Sequence, residues 1–324
     1  GALHCRIAGW WDKRFDLPDE FNYIHLLQRV ADNGKSGYGS AALEQLARIF
    51  ENRRQYPKAA EYWRRVIDQY GAGHNNYRKN HLDQIVKNWG RFDPVGTFAP
   101  GETPTVDFLF RNADRVSFQA REIKVAELLN DVKEYIKSKP AQLRYEKLNI
   151  SNIGQRLVYH DQKQYVGDKV AEWSMILEPL DDHFDRRITV PIPIRKPGAY
   201  LVEGKVGNGN ETRIVVWIAD TAIVQKQLEG RNYYYVADAE SGTPVPKANV
   251  EFFGYRREWK RAPGQRRNKL EIYVEQFAEY TDADGQVIPE PKDLKQQYSW
   301  LITATTPEGR LAYLGFQGVW YNRR

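Results

Sequence analysis

The 324-residue sequence has almost no sulfur, since Cys5 is its only cysteine and Met175 its only methionine. A lone cysteine forms neither an internal disulfide nor a cysteine-based zinc site, so the fold is not built on disulfides. Lipid attachment to Cys5 is not expected either, because Leu3 and His4 precede it where small residues are usual. The absence of an initiator methionine indicates a portion of something longer.

Long apolar runs and targeting signals are also missing. No stretch approaches the roughly 18 consecutive apolar residues of a transmembrane helix. The N-terminus lacks the charged and then apolar pattern of a secretory signal. We therefore expect no membrane span in this chain.

The usual motifs of catalysis are absent. Gly34-Lys35-Ser36 ends like a phosphate-binding loop, but Arg29 stands where that loop requires glycine. Neither a serine-hydrolase elbow nor a paired-histidine zinc motif occurs, and the histidines are scattered at His4, His25, His74, His81, His160 and His183. We expect no enzyme, no catalytic residue and no cofactor.

Two acidic clusters resemble metal sites. Asp181, Asp182, His183 and Asp185 could hold a divalent ion, although a solvated acidic turn before a strand explains them better. Asp282 and Asp284 resemble part of a calcium loop, but the remaining ligands are out of register, which favours a tight turn. We expect no metal site.

What is present indicates folded domains. Apolar residues make up 41% and aromatic residues 13% of the chain, and the net charge is a modest +6. At roughly 150 residues per domain, this length predicts two or three domains.

The first 90 residues have helical periodicity. Asp19 to Ala31 is amphipathic, and Ala41 to Tyr70 resembles one tetratricopeptide repeat. In such a repeat, small residues let two helices approach while large ones fill the gap. The matching positions are Leu46, Ala47, Phe50, Tyr56, Ala59, Trp63 and Val66. Residues 1–90 are therefore predicted to form a small helical unit.

From Phe92 onward, short alternating strands and turns dominate. Val106, Phe108 and Phe110 alternate with polar neighbours, and one amphipathic helix at Val125 to Lys137 interrupts the β pattern. The predicted fold class is mainly β, with two tandem immunoglobulin-like β-sandwiches after the helical unit. The predicted domains are 91–222, which carries the inserted helix on its surface, and 223–324.

One basic stretch stands out between Tyr255 and Lys269. Cations interleaved with aromatic residues could grip phosphate and stack bases, but Pro263-Gly264 and the flanking apolar strands favour a solvated hairpin tip. We keep it as a candidate interaction loop and do not expect nucleic acid as its partner. Its residues are Arg256, Arg257, Trp259, Lys260, Arg261, Arg266 and Arg267.

Short motifs follow one another in a definite order through the β region, from about Phe92 to Trp320. In the first domain these are Phe98-Ala99-Pro100-Gly101-Glu102, Leu109-Phe110-Arg111-Asn112, Val116-Ser117-Phe118, Pro197-Gly198-Ala199-Tyr200-Leu201-Val202 and Ile214-Val215-Val216-Trp217-Ile218-Ala219-Asp220. In the second they are Val236-Ala237-Asp238, Ser241-Gly242-Thr243-Pro244-Val245, Ala248-Asn249-Val250 and Thr281-Asp282-Ala283-Asp284-Gly285. In this order, rather than through any one motif, the region resembles the N-terminal macroglobulin-like domains of bacterial alpha-macroglobulins.

This resemblance implies the non-catalytic scaffold part of a large protease-trapping inhibitor of the bacterial envelope, placed in the periplasm or outside the cell. Proteases would be partners of the full-length protein, and an envelope protein could bind the helical unit. Many members carry a thioester in a C-x-E-Q motif, but Arg6, Ile7 and Ala8 follow Cys5, so this chain has none. No bait segment is identifiable.

Two other classes remain open. A surface adhesin or carbohydrate-binding array would also use tandem sandwiches, and an exposed platform formed by Trp259, Trp300 or Trp320 would favour it. A helical scaffold that recruits a partner peptide through residues 21–89 is the other, and a concave groove there would favour it.

Overall fold

The structure, a computed structural model, describes residues 18, 21–33, 37–261 and 269–321. The chain divides into two compact units. The first unit comprises residues up to 89 together with 111–113 and 178–186, and the second comprises 90–110, 114–177 and the chain from 187 onward. Cys5, the Gly34-Lys35-Ser36 turn, Arg266 and Arg267 lie outside the described residues.

The first unit is helical. Its helices are α1 (Tyr23–Asp32), α2 (Gly39–Asn52), α3 (Tyr56–Tyr70) and α4 (Tyr77–Val86). Six of the seven residues expected between two helices are buried, and Tyr56 is half-buried. Ala47 and Ala59 are fully buried, which is consistent with a close approach of α2 and α3. The tetratricopeptide assignment itself stays a prediction.

Trp63 lies at the centre of this helical core. Its side chain has no exposed surface, and its indole N–H donates to the Glu51 carboxylate. The indole ring stacks on the His81 ring at a centroid distance of 4.7 Å. The large apolar ring is therefore buried with its polar atom satisfied.

Two short segments of the β region complete the first unit. The Asn112 side-chain amide donates to the carbonyls of Ile85 (2.8 Å) and Lys87 (2.9 Å) at the end of α4. Arg111 donates to the Gln84 carbonyl at 2.6 Å. These bonds satisfy carbonyls that a helix C-terminus leaves without partners.

The second unit begins with a β-sandwich. Its strands are β1 (Trp89–Phe92), β2 (Thr97–Phe98), β3 (Thr105–Arg111), β4 (Arg115–Ile123), β5 (Val166–Ile176), β6 (Arg186–Pro191), β7 (Gly198–Val206) and β8 (Glu211–Ile218). One sheet has the strand order β1-β3-β6 and the other β2-β8-β7-β4-β5. Phe108 in the first sheet meets Phe118 in the second edge to face at 5.6 Å.

A second sandwich follows directly. Its sheets have the orders β13-β10-β9 and β12-β11-β14-β15, and Tyr234 of one meets Phe252 of the other at 5.0 Å. The predicted boundary between residues 222 and 223 lies within β9, a strand that the sequence analysis missed. The strands are β9 (Thr221–Leu228), β10 (Arg231–Asp238), β11 (Asn249–Lys260), β12 (Lys269–Tyr280), β13 (Gln286–Val287), β14 (Ser299–Thr305) and β15 (Leu311–Gly318). The predicted mainly β fold class is confirmed.

A helical insert separates β4 from β5. It comprises α5 (Val125–Lys137), α6 (Tyr145–Leu148) and α7 (Ile153–Val158), of which only α5 was predicted. We expected α5 to pack on the first sandwich. Leu128, Leu129, Val132 and Ile136 of α5 do share one buried cluster with β7 of the first sandwich, and the same cluster includes β11, β12 and β14 of the second, which the sequence analysis did not predict. The insert therefore joins the two sandwiches.

None of the helices in the described part of the chain is both long and apolar enough to cross a lipid bilayer.

Replacing Trp63 with alanine is expected to destabilise the helical unit by about 3–5 kcal/mol, because it empties a fully enclosed site. Thermal or urea unfolding of the variant measures this. Tyr38→Ala is the control, since Tyr38 is 76% exposed and its loss should be nearly neutral. Unfolding of Trp63→Ala that matches the parent would remove the basis of the repeat assignment.

Replacing Gly254 with alanine is expected to destabilise the second sandwich by about 1–3 kcal/mol, because the added methyl group would lie 2.6 Å from the buried Trp300 ring. Gly315→Ala in the same sheet is the matched control, since a methyl group there meets nothing within 4 Å. Chemical denaturation of both variants compares them. Equal stability of the two would contradict this packing.

Candidate functional site

The predicted basic stretch forms a two-stranded extension of the second sandwich. β14 pairs with β11 only from Asn249 to Tyr255, whereas β12 pairs with β11 along its whole length, as far as Lys260 opposite Lys269. Beyond Tyr255, therefore, two strands continue without the third. We call residues 256–260 and 269–273 the β11–β12 arm.

Strand alternation splits the cations of the arm between two faces. Directly paired residues of antiparallel strands point to the same face. Arg256, Glu258 and Lys260 share one face with Glu271 and Tyr273, which we call the ladder face. Arg257 and Trp259 lie on the opposite face with Leu270 and Ile272, which we call the open face.

On the ladder face the cations already have partners. The Lys260 ammonium lies 2.8 Å from the Glu271 carboxylate and donates to the Tyr273 hydroxyl at 2.5 Å. The Lys260 hydrogen bond lowers the pKa of Glu271, and Glu271 in turn raises the pKa of Lys260. Arg256 lies 4.3 Å from the Tyr273 ring centroid and 3.2 Å from Glu258. The charges of Arg256 and Lys260 are thus balanced locally.

On the open face the two strands differ. Leu270 and Ile272 of β12 are buried in the cluster that contains α5, so this side of the arm is anchored. Their partners on β11, Trp259 and Arg257, are exposed, and Trp259 has 61% of its surface accessible. The arm therefore exposes the Trp259 indole and the Arg257 guanidinium on β11, while its other strand, β12, is packed against the core.

The aromatic residues of the stretch serve different purposes. Tyr255 is half-buried and packs edge to face on Phe316 at 5.2 Å, so it belongs to the core. Tyr273 carries Arg256 and Lys260 over its ring, at 4.3 and 5.2 Å. Trp259 is left as the exposed aromatic side chain of the arm. Arg261 is the last described residue before the gap.

The two acidic clusters make structural contacts. In the first unit, Asp185 accepts a hydrogen bond from Arg111 at 2.8 Å, and the His183 ring lies 2.7 Å from the Asn112 side-chain oxygen. Burial lowers the pKa of His183, which favours its neutral form. The Asp282 carboxylate accepts from the amides of Asp284 and Gln286, as in a capped turn. No group of three potential metal ligands occurs within the described residues.

A groove of about 940 Å³ lies between the insert and the two sandwiches. The outer face of β8 contributes Val215 and Trp217, the α7 region contributes Ile153, and β15 contributes Tyr313. The Tyr313 hydroxyl donates to the Ile150 carbonyl at 3.3 Å, and burial raises the pKa of Tyr313 to about 12. The groove is therefore lined in part by apolar and uncharged side chains.

The three tryptophans that bear on the adhesin alternative differ in exposure. Trp300 is fully buried, whereas Trp259 and Trp320 are 61% and 66% exposed. Trp259 belongs to the arm, and Trp320 follows β15 at the end of the described chain. A platform containing all three is excluded, because Trp300 packs in the core of the second sandwich.

No protein-family model matches the chain, and no curated protein sequence matches it. Among solved structures, it is similar to a fragment of native Escherichia coli alpha-2-macroglobulin spanning domains MG0-NIE-MG1, at 14% identity and a TM-score of 0.44, over 72% of this chain and 65% of that one. The NIE-MG1 fragment of the same protein gives 16% identity and a TM-score of 0.41, over 71% and 97%.

A mutant Salmonella alpha-2-macroglobulin is 11% identical, with a TM-score of 0.28 over 72% of this chain and 16% of that one. This chain thus spans less than two thirds of the E. coli MG0-NIE-MG1 fragment and a small part of the Salmonella structure.

Proposed function

We propose that this chain is a non-catalytic scaffold portion of an alpha-macroglobulin-like protease inhibitor of the bacterial envelope. The observation that carries the proposal is the buried cluster that α5 shares with both sandwiches. A scaffold must hold its domains in a fixed arrangement, and a common apolar core does so better than a flexible linker would.

Polar contacts reinforce this shared core. Lys133 of α5 forms an ion pair of 2.8 Å with Glu251 of β11, and the two side chains are only 12% and 25% exposed. Lys137, one turn further along α5, lies 5.9 Å from the Phe253 ring centroid. The insert therefore contacts β11 of the second sandwich through both an ion pair and side-chain packing.

Hydrogen bonds at the junction between the sandwiches involve Asp220 and Asp238, which belong to the motifs that resemble alpha-macroglobulins. Arg310 donates to the Asp220 carbonyl at 3.3 Å and to the Asp238 carboxylate at 3.2 Å. Hydrogen bonds from the Ser241 amide and hydroxyl lower the pKa of Asp238, which keeps it ionised for Arg310. Asp220 ends the first domain's last motif and Asp238 ends the second domain's first. Arg310 therefore connects the ends of two motifs that follow each other in the sequence.

In this proposal, residues 91–222 and 223–324 are the two macroglobulin-like domains, and residues 1–90 form a docking unit for an envelope protein. Proteases are partners of the full-length inhibitor, in the periplasm or outside the cell. The rigid pair of sandwiches would position the parts that close on an attacking protease.

A double-mutant cycle on Lys133→Ala and Glu251→Ala tests the contact between α5 and the second sandwich. We expect a coupling energy of about 1 kcal/mol in unfolding experiments, because the pair is largely shielded from water. The matched control is Lys163 with Asp161, whose side chains are 78% and 71% exposed and whose coupling should be near zero. Equal coupling in both pairs would contradict a firm contact between α5 and the second sandwich.

Trypsin digestion tests the scaffold role. We expect the first cleavage after Arg261, Arg266 or Arg267, which lie in the sequence between the paired strands β11 and β12. We expect no loss of trypsin activity, because entrapment needs a cleavable segment coupled to closing domains. Mapped fragments and residual trypsin activity on a large protein substrate are measured together. Stoichiometric loss of that activity would overturn the scaffold role, and an earlier cut elsewhere would overturn the loop assignment.

A further inference from the structure

Trp259, on the open face of the β11–β12 arm, is exposed to water although burial of its indole ring would be favourable. Large aromatic side chains gain most from removal from water, yet Trp259 keeps 61% of its surface accessible while its cross-strand partner Leu270 is 7% exposed. Single exposed apolar side chains are common on protein surfaces, but Trp259 shares its face with the exposed Arg257 in a basic part of the chain. The two side chains together offer a partner both an apolar ring and a positive charge.

The charge around Trp259 indicates the sign of that partner. The described residues 256–261 and 269–273 hold five cations and two carboxylates, a net charge of +3. Both carboxylates, Glu258 and Glu271, lie on the ladder face, so Arg257 on the open face has no acidic neighbour among the arm's paired residues. A partner that meets Trp259 and Arg257 should be anionic.

The shape of the arm indicates the form of that partner. Trp259 stands on a two-stranded ribbon that continues past the end of β14. Hot spots of protein interfaces lie in well-packed pockets ringed by other contacts. A projecting indole flanked by cations instead suits the boundary between lipid head groups and acyl chains, where tryptophan concentrates.

The arm is also stiff enough for this task. A two-stranded ribbon alone is only marginally stable in water. Here the ladder face is crossed by the contacts of Lys260 with Glu271 and of Arg256 with Tyr273, and the open face is anchored through Leu270 and Ile272. Trp259 is thus held outward at a fixed position, which lowers the entropy cost of docking.

We propose that the β11–β12 arm docks the chain onto an anionic phospholipid surface, with the Trp259 indole inserted among the head groups and Arg257 paired with lipid phosphates. The net charge of +3 over residues 256–261 and 269–273 adds attraction at longer range. This proposal does not depend on the scaffold role and stands or falls separately from it.

Co-sedimentation of the whole chain with vesicles tests the proposal. The parent should bind vesicles of equal parts phosphatidylglycerol and phosphatidylcholine but not vesicles of phosphatidylcholine alone, and added salt should weaken the binding. Arg257→Glu changes the charge by two units and should weaken the binding roughly 25-fold, since about 1 kcal/mol per charge corresponds to about fivefold. Trp259→Ala should weaken it about tenfold or more, because it removes the apolar ring that enters the interface. Both side chains are exposed, so the variants should keep the parent's melting temperature.

Two matched controls separate the arm from general surface effects. Trp320→Ala removes an indole that is 66% exposed, and Lys226→Glu makes the same charge reversal at an exposed position on β9. Both should bind the mixed vesicles as the parent does. A blue shift of tryptophan fluorescence with these vesicles, absent in Trp259→Phe, would place the indole in the lipid interface.

Three results would overturn the proposal. The first is no binding of the parent to the phosphatidylglycerol vesicles. The second is equal binding by the arm variants and the controls. The third is binding to a single-stranded oligonucleotide that requires Trp259 while vesicles are ignored, which would make nucleic acid the partner of the arm.

Discussion

The architecture of the second unit depends on two sheets that are apolar on both faces. In β14, Trp300 and Ile302 point into the second sandwich while Leu301 between them points out toward α5. In β7, Tyr200 and Val202 face the first sandwich while Ala199 and Leu201 face the insert. Strands covered on both sides carry continuous apolar runs, and the second cover must come from another element. The helical insert supplies it for both sheets at once.

The same constraint explains where the arm begins. As long as both faces are covered, β11 keeps apolar residues on each side, as in Phe252 and Phe253. Past Tyr255 the third strand ends, and on the ladder face apolar residues give way to ion pairs and cation–aromatic contacts. The arm therefore stays folded by polar contacts on one face and by a strip of the shared core on the other.

Much of this could be predicted from the sequence, and the remainder has identifiable reasons. The alternation of Val106, Phe108 and Phe110 predicted β3 and its buried side, and the apolar face of α5 predicted a buried helix. That face cannot say which sheets cover it, although the run Trp300-Leu301-Ile302 is typical of a strand buried on both faces, a signal that the sequence analysis did not use. Arg256 and Arg257 lie on opposite faces of the arm because side chains alternate along a strand. The contacts of Arg256 with Tyr273 and of Lys260 with Glu271 could be assigned only with the hairpin register.

One strand connects the candidate interaction site to everything else. β11 runs without interruption from the core of the second sandwich, past the α5 contact at Glu251 and Phe253, to Trp259 in the arm. Because it is hydrogen-bonded to β12 throughout, the orientation of the arm follows that of the sheet. The sheet in turn is fixed to the first sandwich through the insert. An attachment made at Trp259 would therefore hold both sandwiches as one body, whereas an attachment through a flexible loop would leave each free to move.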